Sequence, residues 1–236
     1  MSDTSPVIIV TGTGTEVGKT ITTAAMVVGL REQGLRIAVV KATQTGLQPG
    51  EPGDLDDVRR LAGDVETHEL LRLPDPLAPD AAARRVGVTL PTVAEHADTI
   101  AALAARADLD LVLVEGAGGL LVRMDGRGGT IADLGAELTS RGVRAGYVVV
   151  ATPGLGTLNH SALTSEALRH RGLDCIGFVI GSWPQAPDEP DLAMQLNLED
   201  LPAVTGAALL GRVPDGAGRY DGERFRAEAA FWLTIG

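Results

Sequence analysis

Cysteine is nearly absent. Cys175 is the single cysteine in 236 residues, so no disulfide can close within the chain, which fits a reducing compartment. It lies in the apolar run Cys175-Ile176-Gly177-Phe178-Val179-Ile180 and reads as a buried small hydrophobe, not as a nucleophile. Aromatic residues make up only 3% of the chain. Ala, Val, Leu and Gly must therefore do the packing, as suits helices laid closely on a parallel sheet. Positive charge is in deficit: 20 Lys and Arg face 31 Asp and Glu, a net charge of -11. That balance argues against a protein that lives on nucleic acid or on an anionic membrane, both of which call for a basic surface. No uninterrupted apolar run is long enough to span a bilayer. Residues 1–6 carry no basic region ahead of an apolar stretch, so no signal peptide is expected. These absences point to a cytoplasmic protein that engages neither nucleic acid nor membrane.

What is present is a core and a rhythm. Apolar residues reach 44%, enough to bury a sizeable interior. Apolar, β-branched runs at residues 7–10, 36–40, 109–114, 145–151 and 175–180, with a short one at 208–211, read as strands. Stretches at residues 19–33, 55–61, 92–107, 130–140, 158–171 and 222–234 read as helices. Asp54 is a plausible N-cap, and Thr157 could cap another helix. Continuous apolar strands alternating with helices imply a doubly wound α/β fold, with a mainly parallel sheet flanked by helices. One domain over residues 1–236 is expected at this length. The stretches 184–191 and 215–222 read as surface loops. His68, His96 and His170 show no metal-ligand spacing and are expected at the surface.

In an open parallel sheet, ligands bind beyond the carboxyl ends of the strands. The informative residues fall there. Gly12-Thr13-Gly14-Thr15-Glu16-Val17-Gly18-Lys19-Thr20 follows a strand and opens a helix, the context of a phosphate-binding loop. Main-chain N–H groups and the helix N-terminus attract phosphate oxygens. Lys19 adds positive charge, and the Thr20 hydroxyl can ligate Mg²⁺. Thr13 stands where the usual pattern has its first glycine. Glu115 closes the strand at 109–114, where a metal-binding carboxylate belongs, and Gly116-Ala117-Gly118-Gly119 follows it. Lys41 stands after the second strand, in Lys41-Ala42-Thr43-Gln44-Thr45-Gly46. From there it can reach phosphates and balance developing charge, although an exposed lysine is the plainer reading. Gly154-Leu155-Gly156-Thr157-Leu158-Asn159-His160 opens a helix whose N–H groups suit a carboxylate, although turn chemistry alone would explain it.

These motifs, in this order, resemble dethiobiotin synthetase, of the P-loop NTPase superfamily. The resemblance runs from about residue 7 to residue 184 and includes Pro74-Asp75-Pro76-Leu77-Ala78-Pro79, similar to the family's proline-rich loop. It implies a homodimeric, ATP-dependent enzyme. Such an enzyme joins CO₂ to 7,8-diaminononanoate and closes a ureido ring through a carbamic–phosphoric anhydride. It implies nucleotide binding by Gly14, Thr15, Glu16, Val17, Gly18, Lys19 and Thr20, with the main chain at Val213 and Pro214 near the base. Mg²⁺ would be held by Thr20, Asp54 and Glu115. Lys41, Lys19 and Thr15 would be catalytic, and Thr15, Lys41, Thr45, Gly118 and Gly119 would lie against the substrate. Leu155, Gly156 and Asn159 of the partner subunit would take the substrate's carboxylate tail. Two departures stand out: Ala42 replaces the usual Pro, and Gly181-Ser182-Trp183 stands where many members have an adenine-reading Asn, leaving base preference open. A regulatory P-loop ATPase switch of the partitioning or metal-insertion type is the alternative. Those proteins carry a second lysine at the position that is Gly14 here.

Overall fold

The computed structural model describes residues 6–235. The leader-free reading of the first residues falls on Met1 to Ser5, outside that range. Seven parallel strands form the main sheet: β1 (Val7–Gly12), β2 (Ile37–Lys41), β4 (Glu66–Glu69), β6 (Leu111–Glu115), β7 (Ala145–Ala151), β8 (Asp174–Trp183) and β9 (Leu209–Pro214). Their order across the sheet is β4-β2-β6-β1-β7-β8-β9. A two-stranded parallel piece, β3 (Gln44–Thr45) with β5 (Arg72–Leu73), stands apart.

Alternation along each strand feeds two cores. On β1, Ile8 and Val10 pack with Met26, Leu61 and Phe225 under α1 (Lys19–Glu32), α2 (Asp54–Ala62) and α8 (Gly222–Ala229). Val7 and Ile9 point the other way. They pack with Ile100, Leu134, Tyr147, Leu168 and Leu201 under α4 (Val93–Ala104), α5 (Ile131–Ser140), α6 (Thr157–His170) and α7 (Leu192–Thr205). Each fully buried Val or Ile side chain contributes about 1.5–3 kcal/mol, so the sheet interior holds the fold together. α3 (Pro79–Val86) lies outside these layers, over a small cluster with Leu73 and Leu90.

Helix starts follow local chemistry. Thr92 and Glu95 form a capping box at α4, as Thr130 and Asp133 do at α5. Asp191 and Asp221 cap α7 and α8. Several expectations are corrected. Gly53, not Asp54, is the N-cap of α2, and Gly156, not Thr157, is that of α6. The last helix stops at Ala229, and Leu233 then bridges back to Gly211. The stretch at 215–222 is no plain loop: a 3-10 turn, Ala217–Arg219, anchors the buried Ala217. His96 is 2% exposed, not at the surface. Its burial lowers the imidazole pKa. Cys175 is half-buried, and burial pushes its thiol up to about 11.

Four short or unusual elements carried no sequence signal. β4 is Glu-Thr-His-Glu on a sheet edge, with no apolar run, and β3 and β5 are two residues each. In α7, Leu192 and Leu196 face solvent and Pro202 sits inside the helix, so no apolar stripe marks it.

Candidate active site

Strand order places the site. β1 lies between β6 and β7; the chain leaves β1 into α1 on one face of the sheet but leaves β6 and β7 into α5 and α6 on the other, so a crevice opens above β1 at the carboxyl edge. The loop from Gly12 to Gly18 fills its floor. Thr13 donates its amide to Val150 O at 2.9 Å, and no main-chain hydrogen bond within the described residues uses the amides of residues 14–18. Glu16 is the one non-glycine with positive φ among the described residues, and Gly18 has φ 95°. Thr13 does not share that conformation, which is why a side chain is tolerated where the usual pattern has glycine. Lys19 is buried and folds back so that its Nζ donates to Gly14 O at 3.0 Å. Burial lowers its pKa, and the charge of Glu115 opposes that shift.

Glu115 ends β6, wholly buried, in register with Val10 of β1 and Lys41 of β2. Its two oxygens are divided among three donors. Oε1 accepts from Thr20 Oγ1 at 2.9 Å and from Lys41 Nζ at 2.7 Å, while Oε2 accepts from Thr23 Oγ1 at 3.1 Å. Lys41 also reaches Gly116 O at 3.2 Å and the Asp54 carboxylate at 2.5 Å. The bland sequence reading of Lys41 as an exposed lysine is thus wrong: its side chain is 4% exposed. Burial opposes its charge, but Glu115 and Asp54 outweigh that penalty and raise its pKa. The Asp54 carboxylate, against which burial works, is held low by Lys41.

A cleft of roughly 450 Å³ collects these groups. It is lined by Thr15, Glu16, Gly18, Lys19, Thr20, Lys41, Thr43, Thr45, Asp54, Glu115 and Gly118, among others. Gly119 backs the loop from behind, where a Cβ would lie 3.3 Å from Gly12 O. A larger open cavity of roughly 740 Å³ lies between α3 and α4. It holds none of these groups, so the smaller cleft is where charge converges. Gln44 and Thr23, which sequence reasoning did not single out, hold Asp54 and Glu115 respectively. Thr23 was legible in principle, one helical turn beyond Thr20 on the same face.

The remaining expected residues lie elsewhere. Val17 is buried in the core. Val213 is buried and Pro214 half-buried on β9, and neither lines the cleft. Leu155 is 93% exposed, and Gly156 and Asn159 are exposed beside it, outside this chain's cleft. Gly181-Ser182-Trp183 continues β8 instead of following it. A Cβ at Gly181 would lie 1.9 Å from Val17 O, so the phosphate-binding loop leaves no room there for a side chain. The Ser182 hydroxyl donates to Asp215, and Trp183 carries the Arg212 guanidinium over its ring at 4.7 Å.

A parallel sheet carrying this loop, a Lys-Thr pair at the helix start and an acid at the end of the neighbouring strand defines a P-loop NTPase. A family model described as an AAA domain matches residues 7–217. The chain is 53% identical over 227 residues to the ATP-dependent dethiobiotin synthetase BioD of Rhodococcus jostii, covering 96% of this chain and 94% of that protein. It is 53% identical over 228 residues to the enzyme of the same name from Streptomyces avermitilis, at 97% and 92% coverage. The chain belongs to the dethiobiotin synthetase family. Among solved structures it is similar to the cell division ATPase MinD of Pyrococcus furiosus, with TM-score 0.56 and 18% identity over 96% of this chain and 97% of that one. It is also similar to a ParA family ATPase from Chlorobium tepidum, with TM-score 0.54 and 15% identity over 98% and 90%. At those identities the likeness is one of fold.

Proposed function

We propose that this protein is an ATP-dependent dethiobiotin synthetase, working in the cytoplasm as a homodimer of single α/β domains. It carboxylates 7,8-diaminononanoate with CO₂ and closes the ureido ring, releasing ADP and phosphate. One observation carries the assignment of roles: the buried Lys41 ammonium lies between Asp54 and Glu115, in the same cleft as Lys19 and Thr20.

The chemistry needs such a cluster. One amine takes up CO₂ to give a carbamate, which is a poor electrophile until it is phosphorylated. The γ-phosphoryl group passes from ATP to a carbamate oxygen, forming the carbamic–phosphoric anhydride. The second amine then attacks that carbonyl, and phosphate leaves. Charge builds on the phosphoryl oxygens during transfer, and cations already in place stabilise it. Lys19 holds the phosphates from the loop side, and Lys41 steadies the carbamate. Thr15, Thr45, Gly118 and Gly119 hold the diamine nearby, so ring closure is intramolecular.

Two carboxylates and a hydroxyl, Asp54, Glu115 and Thr20, make an all-oxygen donor set that suits Mg²⁺. Mg²⁺ held there would neutralise charge on the triphosphate. Leu155, Gly156 and Asn159, exposed on this chain, would meet the substrate tail of the partner subunit. Helix-end N–H groups there would let an acidic protein hold a carboxylate.

The test is phosphate release with and without 7,8-diaminononanoate and bicarbonate. Release that needs both supports the reading; release indifferent to both defeats it.

A further inference from the structure

The first amides of a helix have no partner inside it. In α2 the first of these is the Asp54 N–H, and it donates to Gln44 Oε1 at 3.0 Å. Gln44 is 5% exposed, and its own amide nitrogen donates to Thr45 O at 3.3 Å. The side chain is therefore fixed at both ends, three residues beyond Lys41. A Cβ at Gly53 would lie 3.0 Å from Gln44 Oε1 and 2.9 Å from Arg72 Nη2, so only glycine lets the two close on the helix start. Arg72 is ion-paired with Glu69, and its Nη1 donates to Gln48 O at 3.1 Å and Glu51 O at 2.6 Å. The small β3–β5 sheet thus grips the chain that leads into Asp54 from two sides.

That grip bears on the site. Asp54 ends a long connection from β3, and its carboxylate is 30% exposed. An unrestrained Asp at a helix start can turn to cap its own helix or point to water. An error of about one ångström in a group at the reacting centre is costly.

We propose that Gln44 is a positioning residue: by accepting the Asp54 amide it fixes the Asp54 carboxylate for the cation that accompanies the nucleotide. This rests on the reading of Asp54 as a Mg²⁺ ligand. An ordinary helix clamp would affect stability and leave the Mg²⁺ dependence alone.

The test compares Gln44→Met, which keeps the volume and removes the acceptor, with Asp54→Asn and with the double variant. ADP binding is measured calorimetrically in EDTA and across a Mg²⁺ titration. Gln44→Met should leave Mg²⁺-free ADP binding unchanged and weaken apparent Mg²⁺ affinity about tenfold. In the Asp54→Asn background the same change should add less than about twofold. In the unaltered protein without metal, the Asp54 amide should exchange its hydrogen slowly, as a bonded amide does. An Asp54 amide exchanging like a free one would overturn the proposal, as would a Gln44→Met effect undiminished by Asp54→Asn. Should Asp54→Asn itself leave the Mg²⁺ dependence unchanged, the metal reading fails first, and this inference with it.

Discussion

Lys41 and Glu115 are in-register neighbours on adjacent parallel strands, with the lysine Nζ 2.7 Å from the glutamate Oε1 at the carboxyl edge of the sheet. Strand pairing alone brings them together, because directly paired residues send their side chains to the same face. Thr20, at the start of the helix after the phosphate-binding loop, shares the same carboxylate oxygen. A cation, an acid and a hydroxyl are thus held by secondary structure before any substrate arrives.

If Lys41 steadies the carbamate during phosphoryl transfer, its removal should stop the chemistry and spare nucleotide binding. Lys41→Met is expected to lower kcat by about 10²–10³-fold or more, with ADP affinity within about threefold of the parent. Calorimetry and single-turnover assays separate the two. Near-normal turnover would show that the catalytic lysine has been misplaced.

The proposed function has Leu155, Gly156 and Asn159, all exposed on this chain, complete the site of a second subunit. Lys41→Met and Asn159→Arg should each be inactive alone. Mixed after reversible dissociation, they should regain about a quarter of parent activity. Half of the dimers would then be mixed, and each mixed dimer would hold one intact site. No recovery, with mixed dimers verified by mass, would place the tail-binding residues within one chain.

Gly181 touches the phosphate-binding loop so closely that a methyl group there would meet Val17 O at 1.9 Å. Gly181→Ala should displace the loop, since overpacking costs about 1–3 kcal/mol. ADP binding should weaken about tenfold or more while the far-ultraviolet circular dichroism stays unchanged. Parent-like affinity would mean that the loop shifts without consequence.

Burial holds the Cys175 thiol near 11, well above its ordinary value of 9.0. The reactive thiolate is therefore scarce at neutral pH and grows only as pH rises towards 11. Alkylation by iodoacetamide should be slow at pH 7.5 in the folded protein, rise with pH, and become fast at pH 7.5 once the chain is unfolded. Equal rates folded and unfolded at pH 7.5 would contradict this.

Much of this was legible in the sequence because the signals were local. The loop from Gly12 to Thr20, the buried strands and Glu115 at a strand end all follow from short runs of residues. The clustering of Lys41, Asp54 and Glu115 follows from the resemblance; composition and spacing alone leave Lys41 an exposed lysine and Asp54 open between a helix cap and a second acidic metal ligand. Gln44 stayed hidden because its partner is a main-chain amide ten residues away. α7 stayed hidden because its leucines face outward, against the pattern from which helices are read. His96 was misjudged because burial of a lone histidine depends on packing between α4 and its neighbours, which no local motif records.

Ring closure itself can be followed with ¹³C-bicarbonate, ATP, Mg²⁺ and 7,8-diaminononanoate, weighing the product and counting phosphate together. The account predicts one labelled carbon in each ring and one phosphate released per ring formed. Phosphate appearing without labelled product, or labelled product without phosphate, would contradict it.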